Sequence, residues 1–227
     1  MFVVLFEVQP KAEQYEQYLE LAKLLRPELE RIDGFLDNER YRSASRSGVI
    51  LSLSTWQDEK ALIRWRTQAL HHQVQEKGRF VVFLNYRLRV GEVTYDTTLS
   101  EGLVEHQQRF DETKATETKA VTLTEIFPSL ESGKTILKDT EAVVVNKNAE
   151  GFVESDMFES ISTPGKRIIL TGWRDAQSAH VERNVQQGER QRHREVRIIR
   201  SYGMFDRVET PQYYPEVQAS TTEALRW

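Results

Sequence analysis

The sequence has 227 residues, which is enough for one large domain or for two small domains that each bury a core. Hydrophobic residues make up 39% and charged residues 29% of the chain, a balance typical of soluble globular proteins. The net charge of -4 leaves no cationic excess for a phosphate backbone, so we expect no nucleic-acid partner. Cysteine is absent, which excludes disulfides, thiolate metal ligands and a cysteine nucleophile.

The apolar runs of the chain are short. The longest, Phe2–Phe6 and Phe80–Leu84, fall far below the ~20 residues that a helix needs to span a bilayer. No basic segment followed by a cleavage-site pattern precedes an apolar run at the start of the sequence. We therefore expect a soluble, cytoplasmic protein with no membrane partner.

Residues 1–93 predict the element order βαββαβ, the split unit of ferredoxin-like folds. Phe2–Val8 is rich in β-branched and aromatic residues, as in a buried strand. After Pro10, apolar residues recur at three- and four-residue steps, which predicts a helix that ends at Gly34. Asp58 is placed to cap a second helix, which ends near Gly78. The other strands are predicted at Phe35–Ser43, Val49–Trp56 and Phe80–Val93.

The unit then repeats. Asp33–Ser43 (DGFLDNERYRS) resembles Glu150–Ser160 (EGFVESDMFES), which lies 117 positions later. The same offset relates Trp56 to Trp173. A constant offset between separated landmarks indicates two tandem copies of one structural unit.

The second unit is predicted over residues 120–208, after a polar connector, 94–119, that contains a short helix at Leu103–Phe110. The repeat register predicts helices at Gly133–Asn146 and Asp175–Gln191, although the β-branched Val143–Val145 is a mediocre helix former. Its strands are predicted at Ala120–Phe127, Phe152–Ser160, Lys166–Trp173 and Val196–Val208. Residues 209–227 are expected to pack on the body, because they include three large aromatic residues.

Each unit leaves one face of its four-stranded sheet uncovered by helices. Pressing the two open faces together is the simplest way to bury them. The sequence thus predicts an α+β fold in which two tandem ferredoxin-like units pack sheet to sheet as an intramolecular dimeric α/β barrel. A cavity is expected between each sheet and its helices, and two such chains could form a homodimer.

The segment Trp65–Phe80 (WRTQALHHQVQEKGRF) carries a resemblance to a known family. With Asp33-Gly34-Phe35 and Trp56, it resembles the antibiotic biosynthesis monooxygenase superfamily, whose pattern W-R-x-x-x-x-H-x-x-A-Q-x-x-G-R is matched except that Val74 replaces the alanine. The resemblance implies a dimeric α+β barrel, here in a tandem form. It extends over nearly all of the first unit and more faintly over the second.

Members of that family that oxidise aromatic compounds need no metal or flavin, because the substrate anion reduces O2 directly. The resemblance therefore implies a cofactor-independent monooxygenase that oxidises a small aromatic or quinol-type molecule with O2 in a pocket of the first unit. Trp65 would supply a stacking wall, and His71 or His72 a proton acceptor. The motif singles out His71, whereas a helical wheel places His72 on the face of Trp65. The residues expected to bind substrate are Phe6, Tyr86 and Arg87, the last as a cationic anchor.

Each of these residues could instead have a structural role. Trp65 also suits core packing, and the two histidines suit a solvated pair at a helix end. Arg79 follows Gly78 and reads as a helix-end charge. Tyr86 recurs in the second unit as Tyr202, which favours a scaffold role.

Other chemistries find less support. The haem-degrading relatives carry a haem-ligating histidine where this chain has Gln75, and an amide cannot replace imidazole on iron. The histidines lack the spacing of a metal site, so we expect no metal and no cofactor. Opposite Trp65 and His71 the second unit has Glu182 and Gly188, which places the expected site in the first unit alone. The alternative function is a non-catalytic small-molecule binding or stress-associated protein with the same barrel.

Overall fold

The computed structural model describes residues 1–99, 109–131, 134–136, 145–180 and 190–211. The strands are β1 (Phe2–Pro10), β2 (Phe35–Ser43), β3 (Ile50–Trp56), β4 (Phe83–Asp96), β5 (Ala120–Ile126), β6 (Ser129–Glu131), β7 (Lys134–Ile136), β8 (Phe152–Ser160), β9 (Arg167–Trp173) and β10 (Gln191–Gly203). The helices are α1 (Tyr15–Glu30), α2 (Glu59–Arg66), α3 (Ala69–Lys77) and α4 (Ala176–Ala179), and a π-helical turn, Gly78–Val82, leads into β4. In these parts of the chain, no helix is both long and apolar enough to cross a bilayer.

Within the described residues, eight strands close one barrel in the order β1-β3-β2-β8-β9-β5-β10-β4, and every pair is antiparallel. Strands β1 to β4 form one half of the barrel, and β5, β8, β9 and β10 form the other in the same local order. The halves join where β4 pairs with β10 and where Tyr41–Ser43 of β2 pairs with β8. The predicted α+β fold, a barrel of tandem ferredoxin-like units within one chain, is confirmed.

The barrel interior is packed with side chains from both halves. Because successive strand residues face opposite sides of a sheet, Val3 and Leu5 of β1 point into the barrel, while Phe2 packs against α1 and α2. Leu123 and Ile198 meet the first two from the other half. The inner faces of the two sheets therefore bury each other, and any cavity must lie between a sheet and its helices.

An ionic network also joins the halves inside the barrel. Glu7 accepts hydrogen bonds from Arg89 (2.6 Å) and Arg87 (2.8 Å), and both guanidinium groups also reach Glu154 of β8. Burial by itself would raise the pKa of Glu7, but the guanidinium groups of Arg87 and Arg89 outweigh it and hold that pKa well below its usual range. These residues therefore remain charged and paired in the interior.

The second predicted helix of the first half is interrupted. Asp58 caps α2, as predicted, by accepting a hydrogen bond from the backbone N–H of Ala61 (2.8 Å). The helix then ends at Thr67, whose hydroxyl donates to the Ile63 carbonyl (2.9 Å), and Gln68 adopts an extended backbone. The Gln68 side chain caps a new helix, α3. The predicted continuous helix is therefore two helices, and the side-chain register of α2 does not continue into α3.

The helix predicted at Gly133–Asn146 is wrong where the structure describes it. Lys134–Ile136 is a strand that pairs with Ser129–Glu131 as a small hairpin, and residues 137–144 lie outside the described residues. Thr135 and Ile136 are both β-branched, which favours a strand at this point of the chain. Of the helix predicted at Asp175–Gln191, Ala176–Ala179 is helical and Gln191 belongs to β10.

Most of the rest of the helix predicted at Asp175–Gln191 falls on residues 181–189, which lie outside the described residues. Glu182 and Gly188 are among them. Residues 103–108 of the connector helix and 212–227 of the C-terminal extension also lie outside the described residues.

Candidate active site

A cavity of about 200 Å³ lies between the outer face of the first half-sheet and helices α1, α2 and α3. Because a dry cavity of about 150 Å³ accommodates benzene, this volume suits a ring compound somewhat larger than benzene. Its walls are mainly apolar and include Phe6, Leu25, Leu62, Phe83, Leu88 and Val90. The first half therefore contains the cavity that was predicted between a sheet and its helices.

Two sequence periods build these walls. The alternation of β1 turns Val4 and Phe6 toward the helices, opposite to the barrel interior. The three- and four-residue spacing of α1 brings Tyr18, Ala22 and Leu25 onto the facing side. The cavity is the space that remains where these two apolar surfaces do not fully meet.

Trp65 and His71 form a stacked pair on the cavity wall. Their ring centroids are 4.0 Å apart and the ring planes differ by 14°. The Gln68 Oε1 atom accepts a hydrogen bond from the His71 backbone N–H (2.6 Å). His71 Nδ1 lies 2.9 Å from the Trp65 carbonyl oxygen. Because a carbonyl oxygen only accepts, this contact assigns the proton to Nδ1 and leaves Nε2 as the acceptor nitrogen.

His71 is neutral at physiological pH. Burial lowers the pKa of its imidazole to about 4, and the neighbouring His72 acts in the same direction. The imidazole therefore keeps a basic nitrogen at any pH at which the protein is expected to work. Protonating it requires either a strongly acidic solution or a nearby anion that stabilises the imidazolium.

The structure separates the two candidate histidines. His71 lines the cavity, whereas His72 is exposed and does not line it. The helical wheel favoured His72 because it assumed one continuous helix from Trp65, and the break at Gln68 rotates the register. Of the other predicted site residues, Phe6 and Tyr86 line the cavity beside Trp65.

Arg87 does not reach this cavity, which corrects its expected place as the cationic anchor. Tyr86 and Leu88 face the helices, so the alternation of β4 turns Arg87 to the barrel interior. There Arg87 binds Glu7 (2.8 Å) and Glu154 (3.0 Å). The side chain is committed to the ionic network between the halves.

The cavity instead has other cations that the sequence analysis did not assign to substrate. Five arginines line it, and among the described lining residues Glu59 is the single carboxylate. Both oxygens of Glu59 accept from Arg109 (2.7 and 2.8 Å), so its charge is already compensated. The lining arginines are Arg40, Arg66, Arg79, Arg200 and Arg207. Guanidinium groups in the wall of an apolar cavity favour an organic anion as ligand.

The second half also contributes to the cavity. Ile199, Tyr202 and Arg207 line it, together with Thr210 and Pro211. Burial raises the pKa of Tyr202 to about 12, so this phenol is neutral. The sequence analysis placed the site in the first unit alone, and the structure adds a wall from the end of β10 and the residues after it.

The fold and this cavity define a tandem α+β barrel with a ligand-sized space on one half. Residues 1–77 match the family model of the antibiotic biosynthesis monooxygenases. The chain is 41% identical over 222 residues to a protein of Pyricularia oryzae (strain 70-15) named jasmonate monooxygenase ABM, and the alignment covers 95% of this chain and 99% of that protein. The chain belongs to the antibiotic biosynthesis monooxygenase family.

Solved structures of aldoxime dehydratases share the fold. One has a TM-score of 0.52 at 11% identity, and its alignment covers 87% of this chain and 80% of that chain. A second, in complex with butyraldoxime, has a TM-score of 0.55 at 10% identity and covers 87% and 79%. At these identities the likeness concerns the fold alone.

Proposed function

We propose that the protein is a monooxygenase that uses O2 to oxidise a small aromatic, quinol-type or related ring compound, bound as its anion in the cavity beside α1, α2 and α3. The observation that carries this proposal is the neutral imidazole of His71, stacked on Trp65 within an apolar cavity that several arginines line. Membership in a family of monooxygenases supports the reaction class.

The proposed reaction begins with removal of a proton from an acidic C–H or O–H group of the substrate by His71 Nε2. The resulting carbanion or enolate supplies electrons to O2, a C–O bond forms, and the imidazolium returns its proton to the peroxide. Loss of the second proton from the same carbon then breaks the O–O bond and releases water. For a methylene group the sum is CH2 + O2 → C=O + H2O, in which the substrate supplies all four electrons and no cofactor is needed.

A histidine with a low pKa is a weak base, so this step depends on the surrounding charges. Guanidinium groups at the cavity wall stabilise the substrate anion, and the anion in turn stabilises the imidazolium. Trp65 stacks against one side of the imidazole plane, and both rings line the cavity in which a flat substrate would bind.

The relative named for jasmonate suggests that a cyclic carboxylate also belongs in the substrate panel. Hydroxylation of a C–H group without further oxidation consumes two more electrons than the substrate supplies. A reaction of that type on this chain would therefore require an added electron donor, which an assay can supply or withhold.

The test measures O2 consumption and incorporation of 18O from 18O2 by the purified protein. The panel contains anthrones, hydroquinones and jasmonate, the last with and without NADPH. We expect turnover of at least one compound, and we expect His71→Gln to lower it by about 100-fold or more if His71 transfers the proton. His72→Gln, which changes an exposed imidazole on the same helix, is the matched control and should leave turnover unchanged.

Two outcomes contradict the proposal. An equal loss in the His71 and His72 variants would remove the proton-transfer role from the cavity. Tight binding of panel compounds with no O2 consumption under any condition would favour the alternative function, a small-molecule binding protein that keeps the barrel without the chemistry.

A further inference from the structure

The Tyr86 hydroxyl is the meeting point of two guanidinium groups at the cavity wall. Arg79 Nη1 donates to it at 3.0 Å and Arg207 Nη1 at 2.9 Å. Arg79 is buried and comes from the π-helical turn before β4, whereas Arg207 follows β10 of the second half. Two guanidinium groups from distant parts of the chain thus converge on one phenol oxygen.

The position of that oxygen is fixed by packing. The Tyr86 ring lies 5.6 Å from the Phe6 ring and 5.9 Å from the Phe83 ring, centroid to centroid. The Arg207 segment is tied to the same strand, because the Met204 backbone N–H donates to the Tyr86 carbonyl (3.0 Å). The cluster is therefore preorganised, which lowers the entropic cost of binding a ligand there.

The hydrogen-bond chemistry of the cluster points to an anionic acceptor. A phenol oxygen has two lone pairs, and here Arg79 and Arg207 each donate to it. The Tyr86 proton remains as a donor, and no side chain or backbone group among the described residues accepts it. A carboxylate oxygen placed in the cavity beside Tyr86 would accept that proton's hydrogen bond next to two positive charges.

We propose that Tyr86, Arg79 and Arg207 form the subsite that binds the carboxylate of the substrate, so that the preferred substrate is a small ring compound bearing a carboxylate. This inference rests on the proposed function and names the substrate class for the same cavity. It also makes the site composite, since Arg207 belongs to the second half.

A carboxylate in the segment after β10 positions Arg207. Glu209 accepts hydrogen bonds from the backbone N–H groups of Lys114 and Ser201, each at 2.7 Å, and from the Thr113 hydroxyl. Burial favours a higher pKa for Glu209, but these hydrogen bonds hold its pKa below the usual value. Glu209 is thus an ionised anchor for the segment that brings Arg207 to the cavity.

Isothermal titration calorimetry on the full chain tests the subsite with two probes, jasmonic acid and its neutral methyl ester. We expect Arg207→Gln to weaken binding of the acid by about 10- to 100-fold and to leave the ester within about threefold, because a charge-assisted hydrogen bond is lost only with the acid. Tyr86→Phe keeps the ring packing and should weaken the acid by about 10-fold. Arg174→Gln, at an exposed arginine outside the cavity, is the control and should bind both probes as the unmodified chain does.

Equal weakening of acid and ester in Arg207→Gln, or no weakening of either, would overturn the subsite. These outcomes differ from failure of the proposed function. A chain that binds the acid through Arg207 but consumes no O2 keeps the subsite and loses the oxidation. A chain that oxidises neutral ring compounds and ignores the carboxylate keeps the oxidation and loses the subsite.

Discussion

The stability of the fold should depend on pH through His71. Its pKa is about 4 in the folded protein and about 6.5 in an unfolded chain, so the unfolded state binds more protons between these pH values. Stability from this group is therefore fully present above pH 6.5 and declines as pH falls toward 4. At pH 5 the loss relative to pH 8 amounts to about 2 kcal/mol, and it approaches about 3 kcal/mol below pH 4.

The assay is guanidinium chloride unfolding at pH 8 and pH 5, followed by tryptophan fluorescence. Groups other than His71 also make stability depend on pH, so the informative quantity is the difference between variants. His71→Gln keeps a donor for the Trp65 carbonyl but cannot be protonated, and it should lose about 2 kcal/mol less than the unmodified chain between the two pH values. His72→Gln should follow the unmodified chain closely, because His72 is the smallest of the influences on the pKa of His71 and burial is the largest. If the His71 and His72 variants show the same pH dependence, the imidazole of His71 is not buried and neutral as described.

Three further predictions follow from named contacts. The kcat/KM of the oxidation should fall on the acid side with a midpoint near pH 4 rather than near 6.5, because this ratio reports the free enzyme; a midpoint near 6.5 would place the base elsewhere. Arg87→Gln should destabilise the fold by about 3 kcal/mol in denaturant titrations without changing KM, since Arg87 pairs with Glu7 and Glu154 and does not line the cavity; a raised KM at full stability would restore its role as anchor. Gly34→Ala should cost about 1–3 kcal/mol, because Gly34 has φ +86° and a Cβ there would lie 2.8 Å from the Ala61 Cβ; an unchanged unfolding midpoint would contradict this.

The fold could be predicted from the sequence because its determinants are local and occur twice. Gly34 and Gly151 both take positive φ at the turn before a strand, and Asp58 and Asp175 both cap the helix that follows a hairpin. Two copies of such signals at one offset indicate the same path of the chain, and pairing of two open sheets follows from burial alone.

The site was less predictable, for two different reasons. Tyr86 and Arg87 are successive residues of one strand, so their side chains face opposite sides of the sheet and cannot both line one cavity. The sequence alone could therefore have shown that Arg87 faces away from the cavity of Tyr86. The helix break at Gln68 could not be predicted in this way, because glutamine is an ordinary helix former and its capping of the His71 N–H depends on the local backbone. A helical wheel that runs through Gln68 without a break therefore places His72, and not His71, on the face of Trp65.

Arg207 could not have been assigned by local patterns, and the barrel explains why. Antiparallel pairing of β4 with β10 sets Gly203, at the end of β10, opposite Arg87 near the start of β4. The residues that follow β10 must therefore pass over the cavity of the first half, as the Met204 contact with Tyr86 shows. The same geometry at the other end brings Thr97, which follows β4, to His193 of β10. In a tandem barrel each half is thus completed by the chain that leaves the other, and the cavity belongs to the pair of units even though one unit supplies the stacked histidine.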